Sequence, residues 1–220
     1  IPVPDSLSDE VAAPANCATA TVCAAVRTIQ ETHAIRDATI LIVGAGMLGL
    51  NAIAQVCEAG ANQIVIADPN AARLEQAKSF GATHCIPSGD QAEITSLLKS
   101  ITNERRADIA TDFAGVNSAV ETCIASVRTG GCVLLAGSVF PSSDIAISPQ
   151  SIVRRMLTIR GLHNYLPIDL NSALQFLEHT ADRFPFADLV AKTFPLSETQ
   201  AAFEYANEHR PVRVAVKPCG

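Results

Sequence analysis

The 220-residue sequence lacks the features that mark nucleic-acid-binding, membrane-spanning and secreted proteins. It has no basic run: the formal net charge is −6, and adjacent arginines occur only as isolated pairs at 105–106 and 154–155. Nucleic acid is therefore not an expected partner. No apolar run has the length of a membrane-spanning helix. Residues 1–5 resemble no signal peptide. We expect neither membrane association nor secretion.

The sequence also lacks cysteines and histidines at the spacing that is typical of metal sites. There are seven cysteines, but no CxxC pattern and no Cys/His pair at ligand spacing, and the five histidines are scattered. Cys57, Cys123 and Cys132 lie within apolar periodic segments. An odd number of cysteines without regular spacing predicts reduced, buried thiols in a cytoplasmic protein.

The pattern that is present predicts a doubly wound α/β protein. Apolar residues make up 48% of the chain and charged residues 17%, which is typical of a well-buried core. Helix-like segments separate six strand-like segments, which we place at 38–43, 63–67, 84–86, 107–113, 132–137 and 157–161. This alternation predicts a six-stranded parallel Rossmann sheet with helices on both faces. In such sheets the ligand lies beyond the carboxyl ends of the strands.

A glycine-rich loop follows the first predicted strand. Residues 44–49 read Gly-Ala-Gly-Met-Leu-Gly, and an apolar stripe at helical spacing comes next. A loop of this kind between a strand and a helix is where a dinucleotide pyrophosphate binds. Gly44 would allow the tight turn, Gly46 would let backbone N–H groups approach the phosphates, and Gly49 would let the helix pack on the strand. The helix N-terminus would attract the anion.

An acid ends the second predicted strand. Asp68 lies 19 residues after Gly49, where a carboxylate accepts hydrogen bonds from the adenosine ribose of NAD and repels the 2′-phosphate of NADP. Asp68 also begins the turn-like sequence Asp-Pro-Asn, so a purely local turn role is the alternative. Arg73 lies nearby, where an arginine can accommodate a 2′-phosphate; with Asp68 in place we assign it to the adenine, the ribose or the helix surface.

Two further glycines follow predicted strands at the same edge. Gly115 comes after the fourth strand, and Gly137 ends the fifth. Together with Gly44 and Asp68 they indicate one ligand-binding edge, although both glycines could simply turn the chain. The ends of the chain are predicted to lie outside the sheet. We divide the chain into a remnant of a second domain at 1–17, a cofactor domain at 18–165 and a return to the second domain at 166–220.

Several segments resemble the zinc-type alcohol dehydrogenases of the medium-chain dehydrogenase/reductase family. Residues 12–22 resemble the family segment A-A-P-x-x-C-A-G-x-T-V, and residues 43–49 match its cofactor loop. Residues 73–82, 157–161 and 194–214 match further family segments, so the resemblance covers nearly all of the chain. The sequence of residues 12–22 is also similar to that of a branch of the family linked to phosphonate catabolism. The resemblance implies a Rossmann domain and an incomplete GroES-like catalytic domain formed from both chain ends.

The resemblance implies a role for particular residues. Cys17 corresponds to one ligand of a catalytic zinc, and Thr21 to the threonine that packs on the nicotinamide. Ser138 would line the nicotinamide end with Gly115 and Gly137, and Arg213 would neutralise the pyrophosphate. The complete set of residues expected to bind the cofactor is Gly44, Gly46, Met47, Leu48, Gly49, Asp68, Arg73, Gly115, Gly137, Ser138 and Arg213. The family also implies a homodimer or tetramer formed through the sixth strand, at 157–163.

The sequence departs from the family in one respect. The other zinc ligands of the family, a cysteine and a His-Glu pair, precede the region that this sequence begins with, and the four-cysteine loop of a structural zinc is missing. One cysteine cannot hold a catalytic zinc, so we expect Cys17 to be a free thiol in this chain. The chain is expected to be either a fragment of a longer enzyme or a reduced form without zinc chemistry.

Three functions remain open at this point. The first is the cofactor-binding part of an NAD-dependent dehydrogenase that interconverts an alcohol and an aldehyde, with zinc present only in a complete chain. The second is a zinc-free, NADP-dependent quinone or enoyl reductase of the same superfamily, which Asp68 disfavours. The third is a dinucleotide-binding module without turnover, which we expect of the isolated chain.

Overall fold

A computed structural model describes residues 1–87 and 89–218 of the chain. It contains two parallel sheets. The strands are β1 (Thr39–Val43), β2 (Gln63–Ala67), β3 (His84–Ile86), β4 (Ala107–Asp112), β5 (Val127–Leu135), β6 (Thr158–Gly161), β7 (Val190–Pro195) and β8 (Arg213–Lys217). The first six form one sheet in the order β3-β2-β1-β4-β5-β6, and β7 pairs with β8 in the other.

Helices connect most of these strands. The α-helices are α1 (Asp9–Ala12), α2 (Ala20–Gln30), α3 (Met47–Glu58), α4 (Ala71–Ser79), α5 (Gln91–Ile101), α6 (Asn117–Ser126), α7 (Pro149–Arg155), α8 (Pro167–Thr180) and α9 (Thr199–His209). A π-helical segment, Ala15–Thr19, leads into α2, and short 3-10 helices flank β7. In the described part of the chain, no helix combines the length and the apolarity that crossing a membrane requires.

The strand order confirms the predicted doubly wound Rossmann sheet. All neighbouring strands of the large sheet are parallel. The chain winds outward from β1 to β3, returns to the centre, and winds outward again from β4 to β6. The direction of winding therefore reverses between β1 and β4, and ligands of such sheets bind in the crevice at this reversal point.

The core lies on both faces of the large sheet, because successive residues of its strands point to opposite sides. In β1, Ile40 and Ile42 belong to a buried cluster that includes residues of α2, α3 and α8. Leu41 and Val43 belong to a second cluster with residues of α5 and α6. All five residues of β1 are buried, so the unbroken apolar run of the sequence reflects a strand covered on both faces.

The structure corrects the predicted start of the fifth strand. The sequence suggests a turn at residues 130–131 and a strand from Cys132, whereas β5 begins at Val127. The pairing with β4 shifts at this point, because Ala107 lies opposite Val127 but Ile109 lies opposite Cys132. The two glycines therefore lie inside a bulged strand, where Gly130 has a φ of +69°. The sequence did not predict helices α1, α2 and α7.

The cysteine prediction is correct only in part. The six cysteines in the described part of the chain are all free, and Cys123 and Cys132 are buried. Cys17, however, is exposed, and Cys23, Cys57 and Cys85 are half-buried. Burial raises the pKa of the Cys23 thiol to about 12, with the nearby charge of Asp169 contributing in the same direction. Cys219 lies outside the described residues.

The region after β6 packs against the large sheet through α8. Helix α8 contacts α2, and Asp169 of α8 accepts two hydrogen bonds from the Arg27 guanidinium of α2. An aromatic cluster joins the segment after α8 to the end of α4, with Phe80 stacked on Phe184 at 6.2 Å between ring centroids and in a T-shaped arrangement with Phe186. The predicted division at residues 17 and 165 stays a prediction, and β7 and β8 form a sheet of their own.

Candidate functional site

The carboxyl ends of four neighbouring strands gather most of the predicted cofactor residues at one edge of the sheet. Gly44 directly follows β1, and Asp68 directly follows β2. The segment that contains Gly115 follows β4, and Gly137 and Ser138 follow β5. The sheet order places these ends side by side around the reversal point between β1 and β4.

The three glycines of the loop have different structural roles. Gly44 has a φ of +105°, and a Cβ there would lie 2.8 Å from the Ala114 nitrogen. A Cβ on Gly49 would lie 1.8 Å from the Gly44 oxygen. A Cβ on Gly46 would meet no described atom within 4 Å. Gly44 and Gly49 are therefore required by contacts within the protein, whereas Gly46 borders open space.

The N-terminus of α3 opens onto this space without a side-chain cap. Its N-cap residue is Gly46, and no side chain in the described chain accepts a hydrogen bond from its first turn. By contrast, α4 and α5 are capped by the side chains of Asn70 and Asp90. The first-turn N–H groups of α3, which include those of Met47 and Leu48, are consequently available as donors, and the helix dipole favours an anion there.

Asp68 connects the end of β2 to the glycine loop. The residue is buried, with 6% of its surface exposed. Its Oδ2 accepts a hydrogen bond from the Ala45 N–H at 2.7 Å, and its Oδ1 accepts one from the Asn70 N–H at 2.8 Å. The second of these bonds is the local turn contact. Because a carboxylate has about four lone-pair positions, acceptor capacity is left for a ligand.

Arg73 lies in the first turn of α4 and reaches towards the C-terminal region. Its Nη2 donates to the Arg210 carbonyl at 3.4 Å. Its Nε is buried and has no hydrogen-bond partner among the described residues. The guanidinium therefore lies between α4 and the end of α9, and its buried Nε donor has no partner in the described chain.

The ends of β4 and β5 touch backbone to backbone. A Cβ on Gly115 would lie 2.4 Å from the Gly137 oxygen, and one on Gly137 would lie 2.6 Å from the Gly115 nitrogen. These glycines thus permit a close approach of two loops as well as turning the chain. Sequence reasoning missed the residue between them, Asp112, which is fully buried and accepts hydrogen bonds from both loops. The available signal was an acid at the carboxyl end of a predicted strand, beside the glycine of the following loop.

Cys17 and Thr21 lie on the π-helical segment and the start of α2. The Thr21 hydroxyl donates to the Cys17 carbonyl at 2.6 Å. A buried polar contact joins this region to α3, since the Thr19 hydroxyl donates to Asn51 Oδ1 at 2.8 Å and Gln55 Nε2 donates to the Thr19 carbonyl at 3.1 Å. The segment that bears Cys17 is therefore attached to the helix that follows the glycine loop.

The described residues do not provide a zinc site. Across residues 1–87 and 89–218, no group of three or more His, Cys, Asp or Glu side chains is arranged to hold a metal ion. Cys17 alone supplies a single thiolate, whereas a catalytic zinc takes three protein ligands. No step of a reaction can therefore be assigned to zinc on these residues.

Arg213 is the first residue of β8 and is not joined to the glycine loop. It lines a groove of about 660 Å³ between residues 1–16 and β8, together with Glu10 and Lys217. In the described part of the chain, no hydrogen bond or ion pair connects Arg213 to residues 44–49. The structure therefore gathers the predicted residues of the sheet edge, but it places Arg213 in a separate groove.

A parallel sheet of order 3-2-1-4-5-6, with a glycine loop after β1 and an acid after β2, defines the class of Rossmann-fold proteins. A sequence profile described as zinc-binding dehydrogenase matches residues 48–179. The chain belongs to this family, the zinc-type alcohol dehydrogenases of the medium-chain dehydrogenase/reductase group.

Two characterised relatives illustrate the similarity. The chain is 34% identical over 206 residues to sorbitol dehydrogenase of Bacillus subtilis, an alignment that covers 93% of this chain and 55% of the relative. It is 27% identical over 205 residues to 5-exo-hydroxycamphor dehydrogenase of Pseudomonas putida, covering 92% and 56% respectively.

Solved structures agree with the fold. An alcohol dehydrogenase from Thermotoga maritima superposes with a TM-score of 0.91 at 21% identity, over 98% of this chain and 59% of that one. An alcohol dehydrogenase from Thermus sp. ATN1 gives a TM-score of 0.86 at 25% identity, over 98% and 60%. The chain thus spans somewhat more than half the length of the proteins it matches.

Proposed function

We propose that this chain forms the cofactor-binding part of an NAD-dependent alcohol or polyol dehydrogenase. The observation that carries the proposal is the uncapped N-terminus of α3, which opens onto free space at Gly46 beside the Asp68 carboxylate. The N–H donors and the dipole of α3 suit a diphosphate, and the Asp68 carboxylate beside them can accept hydrogen bonds from ribose hydroxyls. The family membership supports the same function.

In this proposal the two halves of the dinucleotide lie on either side of the reversal point. The pyrophosphate accepts hydrogen bonds from the first turn of α3, and Asp68 accepts them from the adenosine ribose. The nicotinamide half extends across β4 and β5, over Gly115, Gly137 and Ser138, with Thr21 on its other side. When bound, the dinucleotide supplies the acceptor or donor of a hydride. The substrate would be a small alcohol or the corresponding carbonyl compound.

Asp68 supports a preference for NAD over NADP, because a buried carboxylate at the ribose would repel a 2′-phosphate. One observation favours the other cofactor: the Arg73 guanidinium retains an unpartnered Nε donor near the start of α4. A zinc-free, NADP-dependent quinone or enoyl reductase is therefore the second candidate. We give precedence to NAD because Asp68 is bonded directly to the glycine loop, whereas Arg73 reaches towards Arg210.

We further propose that the 220-residue chain binds the cofactor without oxidising alcohols. Cys17 is exposed and has no second ligand in the described chain, so the metal chemistry of the family is not supplied by these residues. Arg213 would contribute to pyrophosphate binding only if its groove and the sheet edge were brought together around the ligand.

Calorimetric titration of the chain with NADH and NADPH tests the proposal. We expect NADH to bind more tightly. The Asp68→Asn variant should weaken NADH binding by about tenfold and reduce the discrimination against NADPH, since a charged acceptor of ribose hydrogen bonds is lost. Asp188→Asn, which alters an exposed acid of a 3-10 helix away from the sheet edge, is the matched control and should change neither affinity.

Two outcomes would contradict the proposal. The absence of NADH binding would remove the dinucleotide site altogether. Tighter binding of NADPH than of NADH would favour the reductase alternative. Incubation of the chain with NAD⁺, zinc and a panel of alcohols should produce no NADH absorbance, and turnover under these conditions would show that the chain supplies more of the active site than Cys17.

A further inference from the structure

We propose that Asp112 is a positioning residue that holds the nicotinamide side of the cofactor cleft, acting through Ser138 and the backbone N–H groups of Ala114 and Gly115. This inference rests on the proposed dinucleotide-binding function. It assigns a role to a residue that is expected to touch neither cofactor nor substrate.

The carboxylate of Asp112 joins the two loops that follow β4 and β5. Its Oδ1 accepts hydrogen bonds from the N–H groups of Ala114 and Gly115, both at 2.9 Å. Its Oδ2 accepts one from the Ser138 hydroxyl at 2.8 Å. The main-chain oxygen of Asp112 also accepts from the N–H groups of Ala136 and Gly137, at 3.1 and 2.8 Å. One residue therefore fixes both loops.

Burial of the Asp112 carboxylate costs free energy unless its oxygens accept hydrogen bonds. Asp112 is fully buried, and a carboxylate in such a place is retained only when donors surround it. The three donors to its side chain all come from the two loops at the ligand-binding edge. A residue that served only the core could be apolar, like Ile109 and Ala110 of the same strand, so the donor set indicates a task at this edge.

The loops that Asp112 fixes form an exposed surface next to the glycine loop. Ala114 and Ser138 are exposed, although their hydrogen-bond acceptor is buried behind them. The Ala114 nitrogen lies so close to Gly44 that a Cβ on Gly44 would be 2.8 Å away. A shift of the Ala114 loop would therefore change the floor of the cleft beside β1.

Because the two halves of the ligand lie on opposite sides of the reversal point, loss of the Asp112 contacts should affect only one half. Asp68 and the N-terminus of α3 contact the adenosine and pyrophosphate half of the ligand, on the side of β1 and β2. Asp112 and Ser138 lie on the side of β4 and β5, where the nicotinamide half extends. Loss of the Asp112 contacts should consequently weaken ligands that contain nicotinamide and spare those that lack it.

The experiment compares NADH with ADP-ribose, which lacks the nicotinamide, by calorimetric titration of the 220-residue chain. Ser138→Ala should lower the affinity for NADH about fivefold and leave that for ADP-ribose unchanged, since one hydrogen bond to the carboxylate is removed. Asp112→Leu, which removes every side-chain acceptor, should lower NADH affinity further. Asp112→Asn should largely retain NADH affinity, because its oxygen can accept from the backbone and its amide can donate to Ser138.

Asp169→Asn provides the matched control, because Asp169 is also a buried acid but lies between α2 and α8. It should lower thermal stability without changing the ratio of the NADH and ADP-ribose affinities. If Asp112→Leu does not fold, the smaller variant Asp112→Ala takes its place and is compared with Asp112→Asn, because Ala removes the same acceptors and leaves the Ser138 side chain intact.

The possible failures are distinguishable. If the unmodified chain binds neither ligand, the proposed function is wrong and the role of Asp112 is wrong with it. If the chain binds both ligands, but Ser138→Ala leaves NADH affinity unchanged or weakens both ligands equally, the dinucleotide site stands and only the positioning role is overturned.

Discussion

At the scale of single residues, three buried acids organise the molecule, and each has a different set of partners. Asp68 accepts from the glycine loop, Asp112 from the loops after β4 and β5, and Asp169 from Arg27 and the Leu166 N–H. Sequence reasoning identified only Asp68, because a local motif surrounds it. The partners of Asp169 include a residue 142 positions away, which no local pattern reveals.

The Asp169 contact leads to a prediction about stability. Its Oδ1 and Oδ2 accept from Arg27 at 2.8 and 2.9 Å, and its side chain is 3% exposed, whereas that of Arg27 is 41% exposed. Asp169→Asn should lower the free energy of unfolding at pH 7 by about 1–3 kcal/mol, because hydrogen bonds to a charged group are lost. Urea denaturation measures this change, and Asp182→Asn, at an exposed acid, should have almost no effect.

The contact between Asp169 and Arg27 makes the loss of stability in Asp169→Asn dependent on pH. The hydrogen bonds from Arg27 hold the pKa of Asp169 below its ordinary value of 3.8. A carboxylate whose pKa is lowered by folding stabilises the protein above its unfolded pKa, and this stabilisation is lost as the pH falls through the folded value. The difference between the unmodified chain and Asp169→Asn should therefore be complete at pH 7 and shrink below pH 4. A constant difference over that range would contradict the assignment.

At the scale of elements, local sequence accounts well for the segment from β1 to α4. An apolar run, a glycine loop and a helical stripe predicted β1, the loop and α3 in order. The start of β5 could not be predicted in this way, because two glycines ordinarily indicate a turn. Here they lie in a bulge whose extra residues are accommodated by pairing with β4, and that pairing depends on a neighbouring strand.

The glycine loop allows a comparison of two substitutions that differ only in position. Gly49→Ala places a methyl group 1.8 Å from the Gly44 oxygen and should cost roughly 2–4 kcal/mol of stability. Gly46→Ala meets only open space and has an ordinary backbone φ of −79°, so stability should change by less than about 0.5 kcal/mol.

We nevertheless expect Gly46→Ala to weaken the binding of the dinucleotide. The methyl group of Gly46→Ala would occupy the space we assign to the pyrophosphate, and NADH affinity should fall by about tenfold or more. Thermal denaturation and calorimetric titration of both variants measure the two effects separately. An unchanged NADH affinity in Gly46→Ala would contradict the placement of the pyrophosphate at this loop.

At the scale of the whole molecule, β6 is an edge strand of the large sheet formed by the described residues. This strand pairs with β5 on one side, and it is the last strand in the order of the sheet. Exposed apolar residues lie just before it, namely Val153 at 74% and Met156 at 67% exposure. Proteins usually cover or otherwise protect such edges, so we propose that a second copy of the chain pairs with β6.

Size-exclusion chromatography with light scattering tests this proposal. The chain mass is 23.1 kDa, and a dimer or tetramer should elute with two or four times that mass at micromolar concentration. Dilution should reveal dissociation if the contact is weak. A single 23.1 kDa species at every concentration would contradict pairing through β6.

The sequence by itself determined the alternation of strands and helices, the glycine loop, the acid after β2 and the family. These features depend on residue periodicity and on turn chemistry, which act over a few positions. Only the tertiary structure decided that Asp112 joins two loops through a residue 26 positions away, that Cys17 is exposed, and that Arg213 lies in a separate groove. These features depend on which distant segments fold against each other, because burial and hydrogen bonding across the chain are properties of the packed whole.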